Sequence, residues 1–305
     1  MTQDVQAEKT AMTQSEAWTL GRLLGWTTDY LKKQGSDTSR LDAEVLLAHA
    51  RKCRRIELYT AFDEIAGDEL RSAYREMVRR RAEGTPVAYL VGSKEFFSLP
   101  FYVNADVLIP RPETEHLVTA AIDDAKAMLA AGKPSLNVAD VCTGSGCVAV
   151  AFAKHVPAAH LTAIDIDEKA LEVAGRNVEK HELVERINLQ QGDLLAAFPG
   201  ESVWDMILCN PPYVSQAEYD SLASGVREHE PQKALLAGET GLEVIERLQS
   251  QAAGALLPGG VLLLELSPMI AAAAAERFQA AGTWSDVRLI KDLAGRQRIL
   301  RAVRG

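Results

Sequence analysis

Residues 136–155 read LNVADVCTGSGCVAVAFAKH. The first six, LNVADV, read as a strand, and residues 146–155 read as a helix. Between them Asp140, Val141, Cys142, Thr143, Gly144, Ser145 and Gly146 form a glycine-bearing turn. Glycines there let a ligand approach the backbone closely, and the N–H groups that open a helix can meet a carboxylate or a phosphate. Taken alone, the turn selects no particular ligand, because an ordinary tight strand-to-helix connection is written in the same letters.

Working outward from this unit, strands and helices alternate. Downstream come HLTAID (160–165), a helix over 168–181, INLQQ (187–191), VWDMILC (203–209), a helix over 242–257, VLLLEL (261–266), a helix over 269–281, and closing strands near 285–290 and 298–303. That alternation predicts an α/β domain with a mainly parallel sheet covered by helices on both faces, whose ligands bind at the carboxyl ends of the strands. Upstream, PETEHLVTAAIDDAKAML (112–129) reads as a helix with Pro112 at its first position, where the missing N–H costs nothing. The stretch EFFSLPFYV (95–103) is β-prone, and Pro100 marks it as a hairpin or an edge strand.

Residues 15–83 have helical spacing, with Trp18, Leu23, Leu24 and Leu31 on one face. Gly35 is read as ending the first helix, Ser39 with Asp42 as a capping box, and 68–81 as a basic helix. Gly84 and Pro86 break the pattern. The expected organisation is a disordered tail (1–14), a helical substrate-recognition domain (15–85), a hairpin connector (86–110) and a large α/β domain (111–305).

With 305 residues, 47% of them hydrophobic and 25% charged, the chain can bury one large core and one small one. A net charge of −9 opposes any function whose affinity depends on neutralising many phosphates, so stable nucleic-acid binding is not expected. The basic groups Arg51, Lys52, Arg54, Arg55 and Arg79, Arg80, Arg81 read as solvated helix faces or, at most, a local patch. Cys53, Cys142, Cys147 and Cys209 lack a CxxC pair or metal-ligand spacing, so free thiols in a reducing cytoplasm and no metal are expected. Apolar runs fall far short of the ~20 residues a spanning helix requires, so no membrane association is expected. The opening MTQDVQAEKTAMTQSE has none of the features of a signal peptide.

Two further clusters carry chemistry. Ala163, Ile164, Asp165, Ile166 and Asp167 place a carboxylate at the end of the second strand, about 20 residues past the glycines, a spacing suited to accepting hydrogen bonds from both hydroxyls of an adenosine ribose. Asp165 takes that role and Asp167 reads as a helix N-cap. Up to this point the ligand is narrowed only to an adenosine-containing cofactor, since a nicotinamide-binding fold shares the arrangement. Asn210, Pro211, Pro212 and Tyr213 then follow the strand VWDMILC. The prolines offer no N–H, so the turn presents oxygen. The Asn210 side-chain carbonyl and the Pro211 main-chain carbonyl can together accept both N–H bonds of a planar NH₂ group, with Tyr213 packed against the flat group beside it.

With these residues assembled, the chain resembles the peptide chain release factor N(5)-glutamine methyltransferases, the HemK/PrmC-type family, over nearly its full length. The resemblance is carried by LIPRPETE (108–115), the glycine turn, Asn210 to Tyr213, Glu230 and Pro231 with Ala234 and Leu235, residues 238–242, and KDLAGR (291–296). It implies a seven-stranded Rossmann-like class I methyltransferase domain with a small all-helical N-terminal domain, joined by a β-hairpin. It also implies S-adenosyl-L-methionine as cofactor, and as substrate the glutamine of the Gly-Gly-Gln loop in bacterial class 1 release factors. Carried over to this sequence, Cys142, Thr143, Gly144, Ser145 and Gly146 line the methionine part of the cofactor, Asp165 holds the ribose, and Asp193 and Leu194 fall beside the adenine. Asn210, Pro211, Pro212 and Tyr213 hold the glutamine amide, with Asn210 also near the cofactor, and Phe97 and Phe101 are either further wall residues or plain core. Two positions depart from the family pattern: Cys142 stands where the turn usually has its first glycine, and Leu194 where some members have an aromatic residue. No strong general base is expected, and so a rate flat across neutrality. The alternatives are a glutamine of a large-subunit ribosomal protein, an exocyclic amino group of a nucleic-acid base, and a non-catalytic adaptor.

Overall fold

The computed structural model describes residues 18–198 and 202–305. The expected tail at 1–14 lies outside them. The chain divides into two compact units, Met1–Val91 and Gly92–Gly305.

The described part of the first unit consists of α1 (Leu20–Lys33), α2 (Ser39–Arg51), α3 (Glu57–Thr60), α4 (Asp68–Ala82) and α5 (Val87–Val91). Leu20, Leu24, Leu31, Leu46, Leu47, Leu58, Tyr74 and Val78 fill its core. Two expectations are corrected here. Ser39 and Asp42 do not make a capping box: Thr38 is the N-cap residue, with no side-chain cap bond. The Asp42 carboxylate instead accepts from Ser36 Oγ at 2.8 Å, Thr38 Oγ1 at 2.9 Å and Arg81 Nε at 2.7 Å, tying the start of α2 to the end of α4. Nor does helical structure stop at Pro86. Its carbonyl accepts from Tyr89 and Leu90, so Pro86 opens α5, and Val87, Leu90 and Val91 pack on the helical core.

The second unit opens with the hairpin β1 (Ser93–Phe96) and β2 (Leu99–Tyr102). Phe97 and Ser98 at its tip both have positive φ, the two-residue turn that matches the twist of paired strands. A 3-10 turn (Pro112–Thr114) then leads into α6 (Glu115–Ala130), so the single helix read from Pro112 begins as a tighter coil. Next come β3 (Leu136–Val141), α7 (Cys147–His155), β4 (Ala159–Asp165), α8 (Glu168–Lys180), β5 (Ile187–Gln191) and β6 (Trp204–Cys209). After the short β7 (Val214–Ser215), α9 (Gln216–Ser221), α10 (Ser224–Arg227) and β8 (Leu236–Gly238), the unit closes with α11 (Glu243–Ala255), β9 (Leu256–Glu265), α12 (Ala271–Ala280), β10 (Trp284–Lys291) and β11 (Gln297–Arg304).

Seven strands form one sheet in the order β10-β11-β9-β6-β3-β4-β5. Strands β3, β4, β5, β6 and β9 are parallel, and β11 runs antiparallel to both neighbours. Residues from α6, α7 and α8, among them Leu117, Phe152 and Val178, build the core on one face; Leu248 of α11 and Phe278 of α12 build it on the other. The chain leaves β3 toward β4 on one side and later returns as β6 on the other. A crevice therefore opens at the carboxyl ends of these strands, where an open α/β sheet places its ligand.

Candidate active site

The cleft at that crevice is lined by the glycine turn after β3, the ends of β4, β5 and β6, the loop before α6, and residues 231–236. Asp140, Cys142, Thr143, Gly144, Ser145, Asp165, Asp193, Leu194, Asn210 and Pro212 all reach its wall. Gly146, Pro211 and Tyr213 are not on that wall. Phe97 and Phe101 are not either: Phe97 meets the His155 ring edge-on, and Phe101 is buried against Phe96 and His181. Of the two roles open to them, wall or core, they take the core one and seat the hairpin.

The glycine turn is held by side chains from three directions. Asp140, fully buried, accepts from Thr143 Oγ1 at 2.6 Å and from Ala149 N at 3.1 Å through one carboxylate oxygen. Burial pushes its carboxyl up to about 7, against the pull of those two donors. Asp165 accepts from Gly144 N at 2.9 Å on one oxygen and from Asp167 N at 3.0 Å on the other, so β4 clamps the turn. From behind, Asn177 of α8 donates to Ser145 O at 2.8 Å and to Tyr102 O at 2.9 Å, and accepts from Tyr102 N at 2.7 Å. This buried amide locks hairpin, turn and helix together.

Two backbone positions show why the turn has these residues. A Cβ on Gly146 would meet Ala174 Cβ at 3.2 Å and Cα at 3.3 Å, so the glycine is required for α7 to pack on α8. Nothing lies within 4 Å of a Cβ on Gly144, where the backbone faces open space that a ligand can enter. Cys142 adopts φ +60, and Leu194 adopts φ +54. Non-glycine residues rarely take that conformation, and such strain gathers at ligand sites. Asp167 is the N-cap of α8, accepting from Lys169 N at 3.1 Å, and also pairs with Lys233 at 2.7 Å. Asp193 pairs with Arg247.

The opposite wall is made by the end of β6. Asn210 Nδ2 donates to Thr114 Oγ1 at 3.2 Å. Among the described residues no donor reaches Asn210 Oδ1 or the Pro211 carbonyl. Behind them, the Tyr213 hydroxyl lies 3.4 Å from Glu265 Oε1 at the end of β9. Glu265 is buried, and its Oε2 has no hydrogen-bond partner. Burial pushes its carboxyl up to about 7, while Thr114, Tyr213 and Arg298 pull it down and Glu113 pushes it up. The loop that carries Thr114 is fixed by Glu230, which pairs with Arg111 at 2.5 Å and accepts from Ile109 N at 3.3 Å.

Comparison with known proteins accords with this geometry. The chain matches the PrmC N-terminal domain family over residues 22–92 and the methyltransferase small domain family over 118–227. It is 52% identical to the release factor glutamine methyltransferase of Rhodopirellula baltica, covering 93% of this chain and 95% of that one. It is 38% identical to that of Nitratidesulfovibrio vulgaris, covering 94% and 95%. The chain belongs to the release factor glutamine methyltransferase family. A solved methyltransferase from Pyrococcus furiosus, 20% identical, shares the fold with a TM-score of 0.50 over 77% of this chain and 99% of that one.

Thr114, Asn177, Glu230 and Glu265 hold the site together in ways that no motif of the sequence assigns to them, although Thr114 and Glu230 stand in segments that carry the family resemblance. Glu265 had a signal, a lone carboxyl ending the apolar run VLLLEL. Asn177, mid-helix and distant in sequence from everything it touches, had none. Among the described residues no helix is long and apolar enough to cross a membrane, and no cluster of three His, Cys, Asp or Glu residues is placed to hold a metal.

Proposed function

We propose that this chain methylates the side-chain amide nitrogen of the glutamine in the Gly-Gly-Gln loop of bacterial class 1 release factors, using S-adenosyl-L-methionine. The observation that carries this reading is the acceptor pair at the end of β6. Thr114 engages the Asn210 NH₂, which leaves Asn210 Oδ1 on the cleft wall as an unclaimed acceptor, with the Pro211 carbonyl next to it in the chain as the second. A primary amide presents two coplanar N–H donors, and this pair complements them.

The residues of the glycine-turn wall fit an adenosine cofactor with a zwitterionic tail. Asp165 offers carboxylate oxygens for ribose hydroxyls, and the open backbone at Gly144 admits the amino-acid tail alongside Cys142, Thr143 and Ser145, with Gly146 behind them packing the turn on α8. Leu194 and Ile166 supply apolar contact for the adenine, beside Asp193. When bound, the cofactor supplies an electrophilic methyl group. The chain's own contribution is orientation: an amide lone pair is delocalised and weak, and two acceptors on its N–H bonds both aim the nitrogen and raise its electron density. No side chain is needed as a strong base, because the departing N–H proton can pass to water.

The helical unit is assigned the recognition of the release factor, and such a substrate would put the reaction in the cytoplasm. Incubation with radiolabelled S-adenosyl-L-methionine and a release factor, its Gln→Ala loop variant, ribosomal proteins or DNA tests the reading. Label on the release factor alone, lost with the loop variant, is expected. Label only on ribosomal protein or DNA would overturn the substrate.

A further inference from the structure

A primary amide can face its neighbours two ways, and turning it over exchanges donor for acceptor. The proposed function requires one of the two: Asn210 must present oxygen to the substrate. Its only polar partner among the described residues, Thr114, does not by itself enforce this. A threonine hydroxyl has one hydrogen and two lone pairs, so it can accept from Asn210 Nδ2 or donate to Asn210 Oδ1. The choice depends on where the Thr114 hydrogen goes.

The group that takes it is on the far side. Thr114 is buried and close enough to Glu265 for its hydroxyl to hold the carboxyl's titration down, and the Tyr213 hydroxyl lies 3.4 Å from Glu265 Oε1, while Oε2 has no hydrogen-bond partner. An ionised carboxylate only accepts, so two hydroxyls that face it are drawn to donate. We propose that Glu265, resting on the function proposed above, is a positioning residue: its carboxylate takes the hydroxyl hydrogens of Thr114 and Tyr213, leaving Thr114 only lone pairs for Asn210 and thereby fixing Asn210 with its oxygen toward the substrate amide. A buried carboxyl with one oxygen left unpartnered is costly, and this use accounts for its presence at the end of an otherwise apolar strand.

The relay can be reversed by one proton. A protonated Glu265 donates, Thr114 can then accept from it and give its own hydrogen to Asn210 Oδ1, and the amide turns over. Asn210 would then oppose the substrate NH₂ with its own NH₂, two donors face to face. The charged and titratable groups around Glu265 are Arg298 on β11, Glu113 in the 3-10 turn, Tyr213 after β6, and Cys147 at the start of α7. Their balance with burial leaves its carboxyl titrating at about 7. On this proposal the rate falls on the acid side of neutrality instead of staying flat, without any side chain acting as a base.

The test is the pH profile of kcat for methylation of a release factor by the wild-type chain, Glu265→Gln, Thr114→Val and Thr114→Ser. The wild type is expected to lose kcat as pH falls through about 7. Thr114→Val and Glu265→Gln should each cut kcat at pH 8 by about tenfold or more and flatten that limb, with KM for the cofactor unchanged and no drop in melting temperature. Thr114→Ser, which restores the hydroxyl, should restore both rate and limb. Wild-type kcat in Thr114→Val and Glu265→Gln, or an acid limb that persists in both, overturns the relay and leaves the proposed function standing. A wild-type chain that methylates no release factor at any pH overturns both.

Discussion

The wall around Asp140 and the wall around Glu265 each bury a carboxyl pushed up to about 7, and they are assembled in different ways. Asp140 is satisfied by Thr143 and Ala149, both within one strand-turn-helix segment. Glu265 is surrounded by Glu113 and Thr114, Tyr213, and Arg298, which arrive from three separate parts of the chain, and keeps one oxygen unpartnered. The first wall is a local, backbone-built cradle. The second is a relay of side chains that exists only once the sheet has formed. A cradle of the first kind suits a ligand common to many enzymes, whereas a relay of the second kind can be matched to one substrate group.

Substitutions should separate the two walls by what they damage. Asn210→Ala is expected to have the largest effect, lowering kcat by about 10²–10³-fold, as loss of one preorganised polar partner does, while binding of S-adenosylhomocysteine measured by calorimetry is retained. Asp165→Ala should do the reverse. Removing its acceptors should weaken S-adenosylhomocysteine binding by about 10–100-fold, with most of kcat recovered at saturating cofactor. A variant of either wall that showed the other's pattern would break the comparison.

Gly146→Ala tests the cradle's architecture. Both φ +76 and the 3.2 Å approach to Ala174 oppose a side chain, so a loss of about 2–4 kcal/mol in unfolding free energy is expected by denaturant titration. The smallest effect is the most diagnostic for the two carboxyls. Both titrate in the folded chain above their ordinary values of 3.8 and 4.5, so between those values and about 7 the folded state holds more protons than the unfolded one. Their contribution to stability is full below that window and is lost as pH rises through about 7. Glu265→Gln and Asp140→Asn cannot titrate there. The melting temperature of each, relative to wild type, should therefore rise between pH 5 and pH 8, and a relative fall in either would refute the assignment.

The same contrast governs what the sequence makes legible. The cradle could be read because Asp140, Cys142, Gly144, Gly146 and Asp165 lie in two short strand-end segments whose spacing is itself the signal. The parallel sheet was readable for the same reason, since each strand and helix is written in a contiguous pattern. Asn210 to Tyr213 were legible as a motif, but Tyr213 turns its hydroxyl toward Glu265, 3.4 Å away, and does not line the cleft. Glu265, Thr114 and Asn177 act across separations of 52 to 96 residues, with Tyr213, Asn210 and Tyr102 respectively. No local pattern encodes such pairings. The misread capping box at Ser39 has the same origin, for Arg81, 39 residues from Asp42, claims that carboxylate.

The most direct test of the central claim is mass spectrometry of a bacterial class 1 release factor after reaction with this chain and S-adenosyl-L-methionine. The account predicts a gain of one CH₂ unit, with fragment ions placing it on the side chain of the Gly-Gly-Gln glutamine and nowhere else. A release factor recovered unmodified, or methylated at any other residue, would contradict it.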